Sequence, residues 1–212
     1  MRIAVIGDSI STRNNGASAV CWPRLLGQMI EDGGVFNIEV RNYSVPGLTW
    51  RTAKTPTKGW LIGGLSPLQA ATADGFDLLL VCLGANDRNN PDAMADAQMF
   101  SFELATNAHF IRQNMYDPTG ENNAVVTEEE QRRMYAVYDH LGHGFHLGLG
   151  KLYDMGYSYD TLHPTNSGKQ WIASAVYMYL QQFLPITPIE RNIAWLFEQP
   201  QHIREQMRRA NT

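Results

Sequence analysis

Three side chains that are far apart in the sequence have the chemistry of a serine nucleophile and of the two groups that would activate it. Ser9 follows a short apolar run near the amino terminus, and Asp160 and His163 are separated by two residues much later. A serine hydroxyl attacks a carbonyl carbon poorly until a neighbouring imidazole removes its proton. That imidazole needs a carboxylate to orient it and to stabilise the charge that it gains. The residue types indicate nucleophilic acyl transfer, with Ser9 as nucleophile, His163 as base and then acid, and Asp160 as the orienting carboxylate.

Acyl transfer also needs hydrogen-bond donors that face the oxyanion of the tetrahedral intermediate. Gly47 and Asn86 stand at two further points of the chain, in the segments VPG and GAND. The predicted donors are the backbone N–H groups of Ser9 and Gly47 and the side-chain amide of Asn86. Glycine at position 47 lets the backbone approach a substrate oxygen without an intervening side chain.

A parallel β-sheet would bring these candidates together. The apolar runs at 3–6 and 76–84 are typical of strands that are covered on both faces, and the segment 36–43 alternates enough to predict another strand. Ligands of open parallel sheets bind beyond the carboxyl ends of the strands. Because each of the three segments is followed by a candidate residue, we expect the candidates to meet at one edge of the sheet.

Helices are predicted between these strands and after them. Apolar spacing and capping signals predict helices at 22–32, from 66 onward, at 90–107, at 127–140 and from 166 onward. The proline- and glycine-rich segment 44–64 predicts a long loop, 109–116 a weak strand, and 144–154 a short last strand. This alternation predicts an α/β fold, in which helices cover both faces of a central, mainly parallel sheet.

At the candidate residues the sequence resembles the SGNH hydrolases, the superfamily of GDSL-type esterases and lipases. The four sequence blocks of that family appear in order, as GDSIS at 7–11, the glycine of NYSVPGLTW, GAND at 84–87 and DTLHP at 160–164. One block alone would be a weak signal, but four blocks in order are a strong one. The segments between the blocks show no obvious match.

The resemblance implies a flavodoxin-like, three-layer α/β/α sandwich and a serine ester hydrolase that uses no metal or cofactor. It assigns the catalytic triad to Ser9, Asp160 and His163. It assigns the oxyanion hole to Ser9, Gly47 and Asn86.

Several of these residues also have a purely structural interpretation. On its own, Ser9 would be a better helix N-cap than a nucleophile, and His163 could be a turn histidine; the four blocks together favour catalysis. Asp8 and Asp87 are acids beside the site, and the sequence favours a structural role in which they accept hydrogen bonds from loop amides.

A second group with possible chemistry is the histidine trio His140, His143 and His146, whose spacing could suggest a metal site. Two glycines interrupt any helix there, and no cluster of cysteines or carboxylates completes a ligand set. The sequence therefore favours a partly exposed loop and predicts no metal.

Aromatic residues near the predicted site could contact a substrate. Trp22 fits the apolar stripe of the first helix, so we expect it in the core. Trp50 lies three residues after Gly47 and is the preferred candidate for a substrate contact. Trp60 lies in the same loop and offers another flat ring.

Length, composition and charge exclude several classes of protein. The chain has 212 residues, 44% hydrophobic and 18% charged, with a net charge of -4, so a basic nucleic-acid-binding surface is not expected. No apolar stretch approaches the roughly 20 residues that cross a bilayer, and no signal peptide is recognisable, which leads us to expect a cytoplasmic protein. Cys21 and Cys82 are expected to be buried thiols. We expect one hydrolase domain at 1–185, on which an amphipathic helix and polar tail at 186–212 pack.

The preferred substrate is an ester of a small acyl group, such as O-acetyl, on a carbohydrate or another polar carrier. Two alternatives remain. One is a lipase-like enzyme, a lysophospholipase or a thioesterase that acts on longer acyl chains. The other is a catalytically idle relative that serves as a carbohydrate-binding or assembly module. The sequence does not indicate an oligomeric state.

Overall fold

In the computed structural model, the described part of the chain forms a central parallel β-sheet of five strands. The structure describes residues 1–12, 20–102, 108–114, 127–141, 144–148, 157–158 and 162–186. The strands are β1 (Arg2–Gly7), β2 (Glu39–Asn42), β3 (Leu78–Cys82), β4 (Ala108–Asn114) and β5 (Gly144–Gly148), in the spatial order β2-β1-β3-β4-β5. The predicted parallel sheet is therefore confirmed.

The most apolar strand occupies the middle of the sheet. All five residues of β3 are buried. Its neighbour β1 is also an internal strand, because Ile3 of β1 pairs with Leu78 of β3 on one side and with Val40 of β2 on the other. A strand that is covered on both faces has no solvent-facing side, so its sequence is apolar throughout rather than alternating. The edge strand β2, in contrast, has no fully buried residue.

Within the described ranges, six helices surround the sheet. They are α1 (Trp22–Asp32), α2 (Trp50–Lys54), α3 (Pro67–Asp74), α4 (Ala93–Phe102), α5 (Glu128–Leu141) and α6 (Asn166–Leu180). Helix α1 packs against α6, whereas α4 packs against α2 and α5, and α2 packs against α3. These two groups of helices and the sheet form the predicted α/β/α sandwich. Among the described residues, no helix is both long enough and apolar enough to cross a membrane.

Local capping explains where several helices begin. The Ser66 hydroxyl accepts a hydrogen bond from the Gln69 N–H, and the Gln69 side chain bonds back to the Ser66 N–H, so this capping box starts α3 as predicted. A similar exchange between Thr127 and Glu130 starts α5. The first turn of a helix leaves its N–H groups without partners in the helix, and these side chains supply acceptors for them.

The segment 44–64, predicted as a long loop, also contains the short helix α2, which the sequence analysis did not predict. Thr49 and Thr52 form a capping box at its start, and the buried side chains of Trp50 and Ala53 attach the helix to the core. The surrounding prolines and glycines concealed this single helical turn in the sequence. The carboxyl-terminal helix predicted within 186–212 lies outside the described residues from position 187 onward.

Candidate active site

Ser9 lies immediately beyond the carboxyl end of β1, in a short 3-10 turn at Ser9–Ser11. The buried carboxylate of Asp8 caps this turn by accepting the Ile10 N–H at 3.0 Å. A Cβ atom at Gly7 would lie 2.4 Å from the Ser11 Oγ, so only glycine allows the turn to fold this tightly against the strand. The result is a partly exposed Ser9 hydroxyl on a rigid support.

The structure brings His163 into contact with Ser9. The distance from His163 Nε2 to Ser9 Oγ is 2.9 Å, although 154 positions separate the two residues in the sequence. His163 lies just before α6, and its backbone carbonyl accepts the Ser158 hydroxyl at 2.8 Å. Thr165 caps α6 through the Gly168 N–H. These bonds hold the backbone of His163 near the edge of the sheet where Ser9 emerges.

The third predicted member of the triad, Asp160, lies outside the described residues. Its assignment therefore stays a prediction from the sequence. The prediction for the histidine trio is also untested, because the side chains of His140, His143 and His146 lie outside what the structure describes.

Gly47 lies in a tight turn beyond β2. The Leu48 N–H bonds to the Val45 carbonyl at 3.2 Å, and Gly47 has a φ of +77°, in the left-handed region that a type II turn requires at its third position. Pro46 occupies the second position, which its fixed φ suits. Within the described part of the chain, the N–H groups of Ser9 and Gly47 have no hydrogen-bond acceptor. Both donors remain available to a bound ligand.

Asn86 follows β3, in a 3-10 turn at Ala85–Asp87. Its side-chain amide donates one hydrogen bond to the Leu48 carbonyl at 3.0 Å. An amide NH₂ group carries two hydrogens, so the second remains for another acceptor. The bond to Leu48 orients the Asn86 amide and links the turn after β3 to the turn that contains Gly47.

Two acids lie directly beneath these residues. Asp8 is fully buried, and burial raises its pKa from 3.8 to about 6. Asp87 is 3% exposed, and burial raises its pKa from 3.8 to about 7, opposed by its bond from the Trp50 N–H at 3.2 Å. The expected structural role of both acids is confirmed, since each accepts a hydrogen bond from a backbone amide of a site loop.

Gln113 is a further residue of this buried layer that the sequence analysis did not single out. From β4, its side-chain NH₂ group donates to the Cys82 carbonyl at 3.3 Å and lies 3.5 Å from the Asp8 Oδ2. A polar residue in the middle of 109–116 made the strand prediction there weak. A polar residue inside a strand is also a signal that the strand makes a buried side-chain hydrogen bond, as Gln113 does.

The predicted substrate contact at Trp50 is wrong. Its side chain is 1% exposed and packs edge-on against Phe100 and Tyr138, with ring centroids 5.6 and 6.5 Å away. An amphipathic turn at α2 points this ring into the core, so it has no face open to a ligand. Trp60 is the aromatic residue beside the turn: its Nε1 donates to the Pro46 carbonyl at 3.1 Å, and its ring is only partly buried. Trp22, in contrast, is fully buried as expected.

Comparison with solved structures shows which class of fold this is. The lipase/acylhydrolase from Enterococcus faecalis superimposes with a TM-score of 0.64 at 17% identity, over 89% of this chain and 100% of that one. The psychrotrophic esterase EstA from Pseudoalteromonas sp. gives a TM-score of 0.61 at 19% identity, over 86% and 97% of the two chains. A candidate SGNH hydrolase from Slackia heliotrinireducens gives 0.55 at 18% identity, over 84% and 97%.

The chain has the α/β sandwich fold of esterases and acylhydrolases. Within that class it is the fold of the SGNH hydrolases, as the four sequence blocks implied. No protein-family model matches the sequence, and the comparison with curated proteins finds no match. At sequence identities below 25%, structural similarity establishes the fold alone. The chemistry must therefore be argued from the residues of this chain.

Proposed function

We propose that the protein is a serine ester hydrolase whose nucleophile is Ser9 and whose general base is His163. The observation that carries the proposal is the 2.9 Å contact between His163 Nε2 and Ser9 Oγ. At this distance an imidazole can accept the hydroxyl proton directly. Asp160 completes the proposed triad on the strength of its sequence block.

The remaining groups supply the electrostatic part of the reaction. As Ser9 Oγ bonds to the carbonyl carbon of the ester, its proton moves to His163 Nε2 and the carbonyl oxygen becomes an oxyanion. The N–H groups of Ser9 and Gly47 and the second N–H of Asn86 are the proposed donors to that oxyanion. His163 then gives its proton to the departing alcohol oxygen, which leaves an acyl group on Ser9.

Hydrolysis of the acyl-enzyme repeats these steps with water. His163 removes a proton from the water, whose oxygen bonds to the acyl carbon and forms a second oxyanion. When this intermediate collapses, the proton returns from His163 to Ser9 Oγ and the carboxylic acid is released. The proposed reaction uses no group besides these side chains, backbone amides and water.

The surroundings of the site favour a polar carrier with a small acyl group, such as an O-acetylated carbohydrate. The loop that follows Gly47 is exposed at Thr55, Lys58 and Gly59, and the side chains of Thr55 and Lys58 are polar. A carrier that extends from the site across this loop would find hydrogen-bonding groups there. Gly47 itself is exposed, so the site opens toward this side.

A longer acyl chain is the second candidate, as in a lipase-like enzyme, a lysophospholipase or a thioesterase. Leu61 and Leu65 lie farther along the same loop and are 42% and 40% exposed. Exposed apolar side chains favour the binding of an acyl chain. The E. faecalis structure that this chain resembles is itself a lipase/acylhydrolase.

A series of p-nitrophenyl esters from acetate to octanoate separates the two substrate classes. We expect kcat/KM to be highest for acetate and to fall with chain length. A rise toward octanoate would instead support the longer-chain alternative. Acetylated and acetyl-free xylo-oligosaccharides, compared by acetate release and by binding, then test the carbohydrate carrier.

Covalent labelling tests the proposed chemistry itself. A fluorophosphonate probe should modify the native protein at Ser9, as mapped by mass spectrometry, because the probe reacts with activated serine hydroxyls. The heat-denatured protein is the control and should not react. Glycan binding without labelling and without turnover of any ester would support the idle binding module and contradict the proposed function.

A further inference from the structure

The peptide group between Pro46 and Gly47 makes contacts on both of its sides. Its carbonyl oxygen, from Pro46, accepts the Trp60 Nε1–H at 3.1 Å. Its N–H, from Gly47, is one of the proposed oxyanion donors. In a planar trans peptide these two groups point in opposite directions. The direction of the Pro46 carbonyl therefore sets the direction of the Gly47 N–H.

This peptide can adopt two orientations within the same turn. Types I and II of a β-turn differ mainly by a flip of the central peptide, and the positive φ of Gly47 belongs to type II. Glycine tolerates either form, so its identity alone does not fix the peptide. In the flipped form the Pro46 carbonyl would take the place of the Gly47 N–H and would repel an oxyanion.

We propose that Trp60 is a positioning residue that holds the oxyanion hole in its competent form. Its indole N–H binds the Pro46 carbonyl on the far side of the peptide, and this bond keeps the Gly47 N–H available to substrate. This inference depends on the proposed function, because the oxyanion hole that Trp60 would hold belongs to the proposed active site.

Trp60 is itself held in place. Its backbone N–H bonds to the Thr57 carbonyl at 3.0 Å, and its side chain packs against the hydrophobic core. A Cβ atom built at Gly47 would have Trp60 Nε1 as its nearest neighbour, at 3.4 Å. The indole thus lies directly against the turn that it is proposed to orient.

Trp60→Phe removes the indole N–H and retains an aromatic ring. A net hydrogen bond shifts an equilibrium between two orientations by up to about tenfold, so we expect kcat to fall roughly three- to tenfold. KM for p-nitrophenyl acetate should change little, because the lost interaction acts on the oxyanion. Affinity for trifluoroacetophenone, which forms an oxyanion adduct with an active-site serine, should fall by the same factor as kcat.

Tyr43→Phe is the matched control. It removes another side-chain donor from the segment after β2, the Tyr43 hydroxyl that donates to Asp74 Oδ2 at 2.6 Å. We expect Tyr43→Phe to lower thermal stability as Trp60→Phe does, but to leave kcat and inhibitor affinity at the wild-type values. An equal fall of kcat in both variants would mean that general loosening of the loop causes it, which would overturn the proposal.

Other outcomes also decide the question. A wild-type kcat in Trp60→Phe would overturn the proposal. A higher KM confined to esters with a ring in the alcohol would make Trp60 a substrate contact instead of a positioning residue. Exchange of the Trp60 indole proton in the wild-type protein, followed by NMR, provides a test without a variant; exchange as fast as that of a free indole contradicts the proposed bond. These results presuppose ester turnover by the wild type. Its absence, together with an unlabelled Ser9, would count against the proposed function instead.

Discussion

The carboxyl end of the sheet carries two layers of polar residues that differ in their access to water. Ser9, Asn86 and His163 form an upper layer of partly exposed groups, whereas Asp8 and Asp87 lie just beneath and are buried. The two layers are interleaved in the sequence, since Asp8 precedes Ser9 and Asp87 follows Asn86. Neighbouring residues in each turn therefore have different roles. One faces the opening of the site, and the other accepts a hydrogen bond from the backbone beneath it.

The difference between the layers shows how a reactive site can be both open and rigid. Each buried acid accepts the N–H of a different site loop, Asp8 that of Ile10 and Asp87 that of Trp50. Burial of these carboxyl groups raises their pKa values, so ionising the lower layer has a cost in stability. Variants of the upper layer should affect turnover, and variants of the lower layer should affect stability and its dependence on pH.

Ser9→Ala should give the largest effect of any upper-layer variant. We expect kcat for p-nitrophenyl acetate to fall by roughly 10⁴-fold or more, since the nucleophile is lost, with the melting temperature nearly unchanged. Steady-state kinetics and thermal unfolding of the same preparation check both parts. A loss of less than tenfold would exclude Ser9 as the nucleophile.

His163→Ala sharpens this test because triad members act as a unit. The double variant Ser9→Ala/His163→Ala should be about as slow as either single variant, rather than slower by the product of the two losses. If the double variant were instead slower by the product of the two single losses, the two residues, although in contact, would act in separate steps.

Asn86→Ala should have the next largest effect. Loss of one oxyanion donor costs about 10²–10³ in kcat, and KM should change little, because the donor acts in the transition state. The variant also loses the bond to the Leu48 carbonyl. Thermal unfolding therefore accompanies the kinetics, and a wild-type kcat in a folded variant would remove Asn86 from the oxyanion hole.

The sequence predicted the residues of the upper layer and both acids of the lower layer, but it missed Gln113 beside Asp8. Ser9, Gly47 and Asn86 each follow a segment with a strong strand pattern, and the rule that parallel strands end at the same edge places them together. His163 was predicted from its sequence block, and the structure brings it to Ser9. The roles of these residues remain predictions, as does that of Asp160.

The remaining errors have a common physical origin in tertiary packing. Trp50 and Trp60 are both tryptophans of one loop, and the position of Trp50 next to Gly47 made it the better candidate. A single helical turn at α2 reverses this order, because it buries Trp50 against Phe100 and leaves Trp60 at the turn. No periodicity is detectable in five residues, so the reversal was invisible in the sequence. Gln113 was missed for a similar reason, since its partner Asp8 is 105 positions away.

The lower layer should reveal itself in the dependence of stability on pH. Because burial raises the pKa of Asp87 to about 7, the folded protein holds this proton more tightly than the unfolded chain, in which the pKa is near 3.8. As the pH rises from about 4 to 7, the unfolded chain ionises first, so folding loses stability across that window. Above pH 7 both states are ionised and the loss is complete.

Asp87→Asn cannot ionise, and its side-chain oxygen can still accept the Trp50 N–H. We expect the free energy of unfolding of the wild type, relative to this variant, to fall by about 1–3 kcal/mol between pH 4.5 and pH 8, as measured by urea denaturation. Any cost of burying the new amide is independent of pH and cannot produce such a slope. Asp8→Asn should give a similar fall that ends near pH 6, because burial raises the pKa of Asp8 to about 6. A difference that stays constant across this pH range would mean that Asp87 ionises in the folded protein as easily as in the unfolded chain, and the two layers would then not differ in the way that their burial indicates.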